Sequence, residues 1–221
     1  MSNQKIVVFD IIGTCFSLSK PQQQLIKLGA PQYALELWFA QALRDGFGFS
    51  HSGGYKPLKE ILKAELPRTL KLLDISVNST ELTEVMETFS ELELQPSAEE
   101  AFDILAQEGW KIVALTNGSE KSTRNLLERV GMQKYFSQIY SCDEIAITKP
   151  HPDVYKMIEA DNLENVWLVA AHAWDIAGAK RVGMKTAFVQ YVEKDYLEVY
   201  PQPTIICENL AEAARQIVNS L

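Results

Sequence analysis

Short runs of apolar, β-branched residues recur along the chain and are typical of strands buried on both faces of a parallel sheet. Between the later runs lie helical patterns, "EKSTRNLLERVG", "HPDVYKMIEADN" and "AWDIAGAKRVG", and "NLAEAARQIVNSL" ends the sequence. This alternation predicts an α/β fold with a Rossmann-like, doubly wound parallel sheet, in which the chemistry lies at the carboxyl ends of the strands. The predicted strands are "KIVVFD", "WKIVALTN", "VWLVAA", "KTAFVQY" and "TIICEN", with "FSQIYSC" as a weaker sixth.

One segment interrupts the alternation. From about residue 16 to 97 no convincing strand is found, and helical patterns take its place. We therefore predict a helical cap domain at 16–97, inserted into a core formed by 1–15 and 98–221 and closing a pocket against the strand ends. Within the cap, we expect the second helix to end at Gly46, and Pro57 and Pro67 to interrupt the third.

Composition excludes several classes of protein. Hydrophobic residues make up 47% of the 221 residues and the net charge is −8, which favours a globular domain and argues against a broad nucleic-acid surface. No apolar run approaches the roughly 20 residues of a membrane helix. The three cysteines, Cys15, Cys142 and Cys207, lie far apart, so we expect reduced thiols in a cytoplasmic protein.

Four polar motifs follow predicted core strands. Each has an ordinary explanation when taken alone: a helix cap, a turn, a solvated lysine, or an acidic residue near a helix N-terminus. Their order and spacing together favour a common site at one edge of the sheet. The candidates are Asp10 with Thr14, Thr116 in "TNGS", Lys149 and Tyr155 in "TKPHPDVY", and Asp175 in "AAHAWD".

These motifs, in this order, resemble those of the haloacid dehalogenase superfamily. "FDIIGT" is similar to its first motif, with Asp10 as the nucleophile, and "VALTNGS" is similar to its second. Lys149 corresponds to the lysine of the third motif, and Asp175 belongs to the acidic fourth. The resemblance covers essentially the whole chain, cap insertion included. Within the superfamily, the Asn-Gly-Ser turn, the "KP…VY" run and "AWD" look most like type II 2-haloacid dehalogenases.

Two departures from the superfamily's phosphatases bear on the chemistry. Those enzymes place a second Asp two residues after the nucleophile as a general acid, and here that position is Ile12. The fourth-motif carboxylate that would hold magnesium falls at Ala171. Asp10 and Asp175 alone make a poor octahedral oxygen site, so we expect no metal requirement. Because a halide leaves without a proton, cleavage of a carbon–halogen bond needs no general acid.

The resemblance also implies roles for individual residues. Asp10 attacks the carbon that bears the halogen and forms an ester with the enzyme, while Lys149 orients it and Asp175 anchors Lys149 and orders water. Thr14 and Thr116 donate hydrogen bonds around the nucleophile, and the backbone N–H groups near Ile11 and Asn117 form an oxyanion site. Tyr155 corresponds to the family's tyrosine in the site. Trp174 is either the family's pocket aromatic or an ordinary core residue.

Four positions depart from typical type II enzymes. An aromatic residue is replaced by Ile12, and Ser and Asn are replaced by Ala170 and His172. The cap arginine that receives the substrate falls at Gln41. Arg44, three residues further along the helix, either substitutes for it or faces solvent near the helix end. His172 either acts as a base for hydrolysis of the ester or is a half-buried histidine bonded to backbone.

The expected function is that of a metal-independent hydrolase that resembles (S)-2-haloacid dehalogenase and uses no cofactor. We expect a small organic anion as substrate, neither nucleic acid nor membrane as partner, and, from the resemblance, a homodimer. Two alternatives stand beside it: a catalytically altered relative that serves as a binding protein, and a phosphatase.

Overall fold

A computed structural model describes residues 5–220 of the chain. By contacts within the chain these residues fall into two compact units, one up to Phe16 and from Leu94 onward, the other Ser17–Glu93. In chain order the elements are β1 (Ile6–Phe9), β2 (Phe16–Ser17), α1 (Ser19–Lys27), α2 (Ala34–His51), α3 (Leu58–Leu72), α4 (Ser79–Glu87), β3 (Glu93–Leu94), α5 (Ala98–Gln107), β4 (Lys111–Thr116), α6 (Glu120–Arg129), β5 (Phe136–Ser141), α7 (Pro152–Tyr155), β6 (Val166–Ala170), α8 (Ala173–Arg181), β7 (Lys185–Val189), β8 (Ile205–Cys207) and α9 (Leu210–Asn219).

The first unit is built on a parallel six-stranded sheet in the order β5-β4-β1-β6-β7-β8. Successive strand residues point to opposite faces, and both faces are covered by helices. Val8 belongs to a buried cluster with Ile176 of α8, whereas the neighbouring Phe9 packs edge-on against Phe102 of α5, with ring centroids 5.1 Å apart. The prediction of a doubly wound α/β sheet is therefore confirmed.

The second unit contains the four helices α1 to α4. Helix α2 runs to His51 instead of ending at Gly46. A Cβ at Gly46 would lie 3.3 Å from Cδ1 of Ile61 on α3, so glycine here allows close packing of two helices and does not mark a helix end. The predicted interruption of the third helix is half right, since Pro57 precedes α3 but Pro67 lies inside it.

Two further elements differ from the predicted pattern. The two-residue strands β2 and β3 pair with each other where the chain passes between the units, in a segment predicted to lack strands. Helix α7 ends at Tyr155, although the pattern predicts a helix through residue 162. Beyond it the N–H of Glu159 donates to the Tyr140 hydroxyl (3.2 Å) rather than to a helical carbonyl. No helix within residues 5–220 combines the length and apolar character that crossing a bilayer requires.

We expect Phe102→Ala to lower the free energy of unfolding by about 3–5 kcal/mol, because it removes a fully buried ring that packs against Phe9 and Phe136. Urea denaturation measures the change. The control Val199→Ala alters a side chain that is 83% exposed, so a change within about 0.5 kcal/mol is expected. Equal losses in the two variants would contradict the assignment of Phe102 to the core.

Candidate active site

The site begins where three adjacent strands of the sheet end. Asp10 directly follows β1, and its N–H donates to the carbonyl of Val169 on β6 (3.1 Å). Thr116 is the last residue of β4, on the other side of β1. Because these strands are parallel, their carboxyl ends form one edge, and the polar residues that follow them meet there.

Lys149 is the centre of this group. Its ammonium donates to Asp10 Oδ1 (2.6 Å), to Asp175 Oδ2 (2.7 Å) and to the carbonyl of Leu115 (3.1 Å), so each of its three N–H bonds has an acceptor. The residue is 0% exposed. The alternative of a solvated loop lysine is therefore wrong.

Asp175 is held from both sides. Its Oδ2 accepts from Lys149, and its Oδ1 accepts from the Tyr155 hydroxyl (2.6 Å). That tyrosine lies directly against α8 at Gly178, where a Cβ would come within 2.4 Å of the hydroxyl oxygen. The glycine thus leaves the space in which Tyr155 reaches the carboxylate.

The second oxygen of Asp10 is also fixed. Thr14 Oγ1 donates to Asp10 Oδ2 (2.6 Å) and accepts from the N–H of Ala171 (2.9 Å). This hydroxyl therefore joins the loop after β1 to the loop after β6. Gly13, between Asp10 and Thr14, has φ +87°, a left-handed conformation that favours glycine.

The charges of the group do not balance, because two carboxylates face one ammonium. Burial alone lowers the pKa of Lys149, but Asp10 and Asp175 outweigh it and raise that pKa above its usual value. Burial raises the pKa of Asp175, Lys149 lowers it and Asp10 raises it, with a net increase. Burial, followed by the charge of Asp175, holds the pKa of the Tyr155 phenol well above 10. Tyr155 therefore acts here as a hydrogen-bond donor.

The turn after β4 is organised by side chains. Asn117 Oδ1 accepts from the N–H of Lys149 (3.0 Å) and from the thiol of Cys142 (3.1 Å). Thr116 Oγ1 accepts from the N–H of Gly118 (2.9 Å), so this hydrogen bond stabilises the turn and not Asp10. Ile12 is half-buried, and its Cδ1 lies 3.3 Å from where Gly118 would carry a Cβ.

His172 and Trp174 lie at the start of α8. Their rings are stacked, with centroids 5.4 Å apart and an angle of 12°, and Lys149 Nζ lies 5.7 Å from the centroid of Trp174. Trp174 is half-buried, and His172 Nδ1 is 3.2 Å from Glu193 Oε1. Glu193 was not among the predicted site residues, because its loop contains no motif and no periodic pattern.

The two cap candidates belong to the helical unit Ser17–Glu93. Gln41 Oε1 accepts from the Thr69 hydroxyl (2.7 Å), which leaves its amide N–H groups as donors. Arg44 pairs with Asp45 (2.7 Å), and its side chain is 60% exposed. Both lie on α2. Ile11, the backbone candidate in the core, has a fully buried side chain.

The residues around Asp10 do not fit a magnesium ion, which prefers six oxygen ligands in octahedral geometry. Ile12 and Ala171 offer no oxygen in their side chains, and both oxygens of Asp175 are bound by Lys149 and Tyr155. Across residues 5–220, no group of three or more His, Cys, Asp or Glu side chains is placed to hold a metal ion.

Comparison with known proteins identifies similar sequences and folds. The family model described as haloacid dehalogenase-like hydrolase matches residues 4–183. An (S)-2-haloacid dehalogenase of Pseudomonas fluorescens is 24% identical over 226 aligned positions that cover 100% of both chains. Haloacetate dehalogenase H-2 of a Moraxella species is 23% identical over 86% of this chain and 87% of its own.

A solved structure shows the same fold. The L-2-haloacid dehalogenase of Xanthobacter autotrophicus, with chloropropionic acid covalently bound, superposes with a TM-score of 0.86 at 21% identity and covers 97% of this chain and 98% of its own. The family model spans far more than half of the sequence, and its match agrees with the order of the four strand-end motifs. The chain therefore belongs to the haloacid dehalogenase-like hydrolases.

Proposed function

We propose that this chain hydrolyses the carbon–halogen bond of a small 2-haloacid, with Asp10 as a covalent nucleophile. The observation that supports this most strongly is how Asp10 is held. One of its oxygens accepts from Lys149 and the other from Thr14, while the position of a phosphatase's general acid is Ile12. This arrangement orients a carboxylate for attack and has no carboxylic acid at position 12, where a phosphatase would protonate its leaving group.

In the proposed first step, one oxygen of Asp10 attacks the carbon that bears the halogen, an ester bond forms, and the halide leaves with the bonding electrons. Lys149 and Thr14 hold the carboxylate in one orientation. Their hydrogen bonds stabilise its charge and so lower its nucleophilicity, a cost that fixed geometry offsets. Burial excludes water, which strengthens these contacts.

In the second step, water adds to the carbonyl carbon of Asp10, and the tetrahedral intermediate collapses by breaking the bond between that carbon and the ester oxygen. The proton that the water loses passes to the departing oxygen, and the bond between this oxygen and the substrate carbon stays intact. The backbone N–H groups near Ile11 and Asn117 are the proposed donors to the oxyanion. Asp175 keeps Lys149 in place through both steps. The product alcohol therefore takes its oxygen from Asp10, and Asp10 takes a new oxygen from water.

The names of the relatives support a small haloacid as substrate. For the cation that such an acid needs, we propose Arg44, aided by the free amide donors of Gln41. We also propose a cytoplasmic homodimer that needs no cofactor. Support for the compartment comes from three free, buried cysteines, and support for the dimer comes from the family resemblance.

The central test is halide release from chloroacetate and 2-chloropropionate, with a phosphate ester as comparison, each with and without magnesium. We expect Asp10→Asn to abolish halide release, while Asp195→Asn, which alters an exposed carboxylate, leaves it unchanged. Magnesium-dependent release of phosphate would support the phosphatase instead. Inactivity on every substrate would favour a binding protein.

A single turnover in ¹⁸O-labelled water, with enzyme in excess over 2-chloropropionate, tests the covalent step separately. Mass spectrometry of the peptide that contains Asp10 is expected to find the label in that side chain and none in the product alcohol. If the label appeared in the alcohol alone, direct attack of water on the substrate carbon would be established and the ester would be wrong.

Arg44→Ala is expected to raise the KM for an anionic haloacid about 10- to 100-fold, because a charged hydrogen bond contributes about 1.5–3 kcal/mol. The control is Arg181→Ala, which removes an exposed arginine of α8. Steady-state kinetics with 2-chloropropionate measure both variants. An unchanged KM for Arg44→Ala would show that this arginine belongs to the solvent-facing surface of the cap.

A further inference from the structure

The loop after β7 contacts both loops that carry the proposed site. The Tyr191 hydroxyl donates to the carbonyl of Thr14, in the loop after β1. Glu193 reaches the loop after β6, where Oε1 lies 3.2 Å from His172 Nδ1 and Oε2 accepts from the N–H of Ala173 (3.0 Å). One carboxylate therefore bonds an imidazole and the backbone next to it.

The contact with Glu193 determines which nitrogen of His172 carries the proton. A carboxylate has only acceptors, so Nδ1 must be the donor, and the lone pair of the neutral ring is on Nε2. That nitrogen lies 2.8 Å from where a Cβ on Gly13 would be. The aprotic edge of the imidazole thus faces the loop between Asp10 and Thr14.

Glu193 also completes the start of α8. His172 is at the N-cap position, but its side chain makes no capping hydrogen bond. The carboxylate of Glu193 instead accepts from Ala173, the first residue of the helix, and places a negative charge at the helix N-terminus, where the backbone dipole favours it. Asp175, which binds Lys149, lies in this same first turn.

We propose that Glu193 is a positioning residue of the active site that acts through His172. It holds the imidazole in the Nδ1–H tautomer against the loop of the nucleophile and holds the helix turn that presents Asp175. The reaction that it serves is the one proposed above. The assignment gives His172 a supporting role, and its ring is only 7% exposed.

Glu193→Gln provides a sharp test, because an amide has one oxygen where the carboxylate has two. The N–H of Ala173 requires that oxygen, which turns the amide N–H₂ toward Nδ1 of His172. Nδ1 must then accept, so the proton moves to Nε2 and points at Gly13. We therefore expect the variant to invert the tautomer of His172.

The tautomer is read from the ¹⁵N shifts of the imidazole nitrogens in long-range ¹H–¹⁵N spectra. The chain has three histidines, and His172→Asn identifies the signals of the buried one. We expect Nδ1–H in the wild type and in Glu193→Asp, and Nε2–H in Glu193→Gln. A wild-type spectrum with the proton on Nε2 would overturn the proposal even if the glutamine variant did not fold.

The kinetic expectation is a split between the two parameters. Glu193→Gln is expected to lower kcat for 2-chloropropionate roughly 10- to 100-fold at unchanged KM, with a small fall in melting temperature because the N-terminus of α8 loses a negative charge. Glu193→Asp should recover most of the loss, and the exposed Glu198→Gln in the same loop should behave as wild type. A kcat that stays unchanged despite an inverted tautomer would show that Glu193 only caps the helix.

The two proposals fail in different ways. If Asp10→Asn kept halide release, the nucleophile would be wrong, yet the spectra would still decide the contact of Glu193 with His172. If the spectra showed no inversion of the tautomer while Asp10→Asn was inactive, Asp10 would remain the proposed nucleophile and the positioning role of Glu193 would be wrong.

Discussion

A buried ammonium determines the arrangement of this site. Transfer of an uncompensated lysine charge out of water costs many kcal/mol, so Lys149 is stable in the core only while its acceptors are in place. Those acceptors come from three separate parts of the chain: Asp10 after β1, the carbonyl of Leu115 on β4, and Asp175 on α8. The ion pair and the local fold therefore depend on each other.

The groups around Lys149 are in turn constrained by neutral contacts. Thr14 bonds Asp10 and the backbone of Ala171, and Tyr155 bonds Asp175 through the space that Gly178 leaves. Each carboxylate therefore has a cation on one oxygen and a hydroxyl on the other. These contacts leave each carboxylate few accessible rotamers. Packing and hydrogen bonding therefore supply the fixed orientation that a reacting group needs.

The features that depend on the strands could be predicted from the sequence, and those that depend on loops and on helix packing could not. Apolar runs located all six strands of the core sheet, and the residues that follow them identified Asp10, Lys149 and Asp175 as a group. The predicted helix end at Gly46 was wrong because helix propensity does not include the tight contact between α2 and α3. Glu193 was missed because nothing in an aperiodic loop indicates which distant backbone it meets.

The buried group around Lys149 has a net negative charge before the reaction. In the empty enzyme the group contains one ammonium and two carboxylates. An anionic substrate that approaches Asp10 is therefore repelled unless the enzyme supplies another cation. In the proposed reaction, conversion of Asp10 to an ester removes one negative charge and leaves Lys149 and Asp175 as a balanced pair. Among the protein's own buried groups, the proposed covalent intermediate is then the neutral state, and the empty enzyme is the charged one.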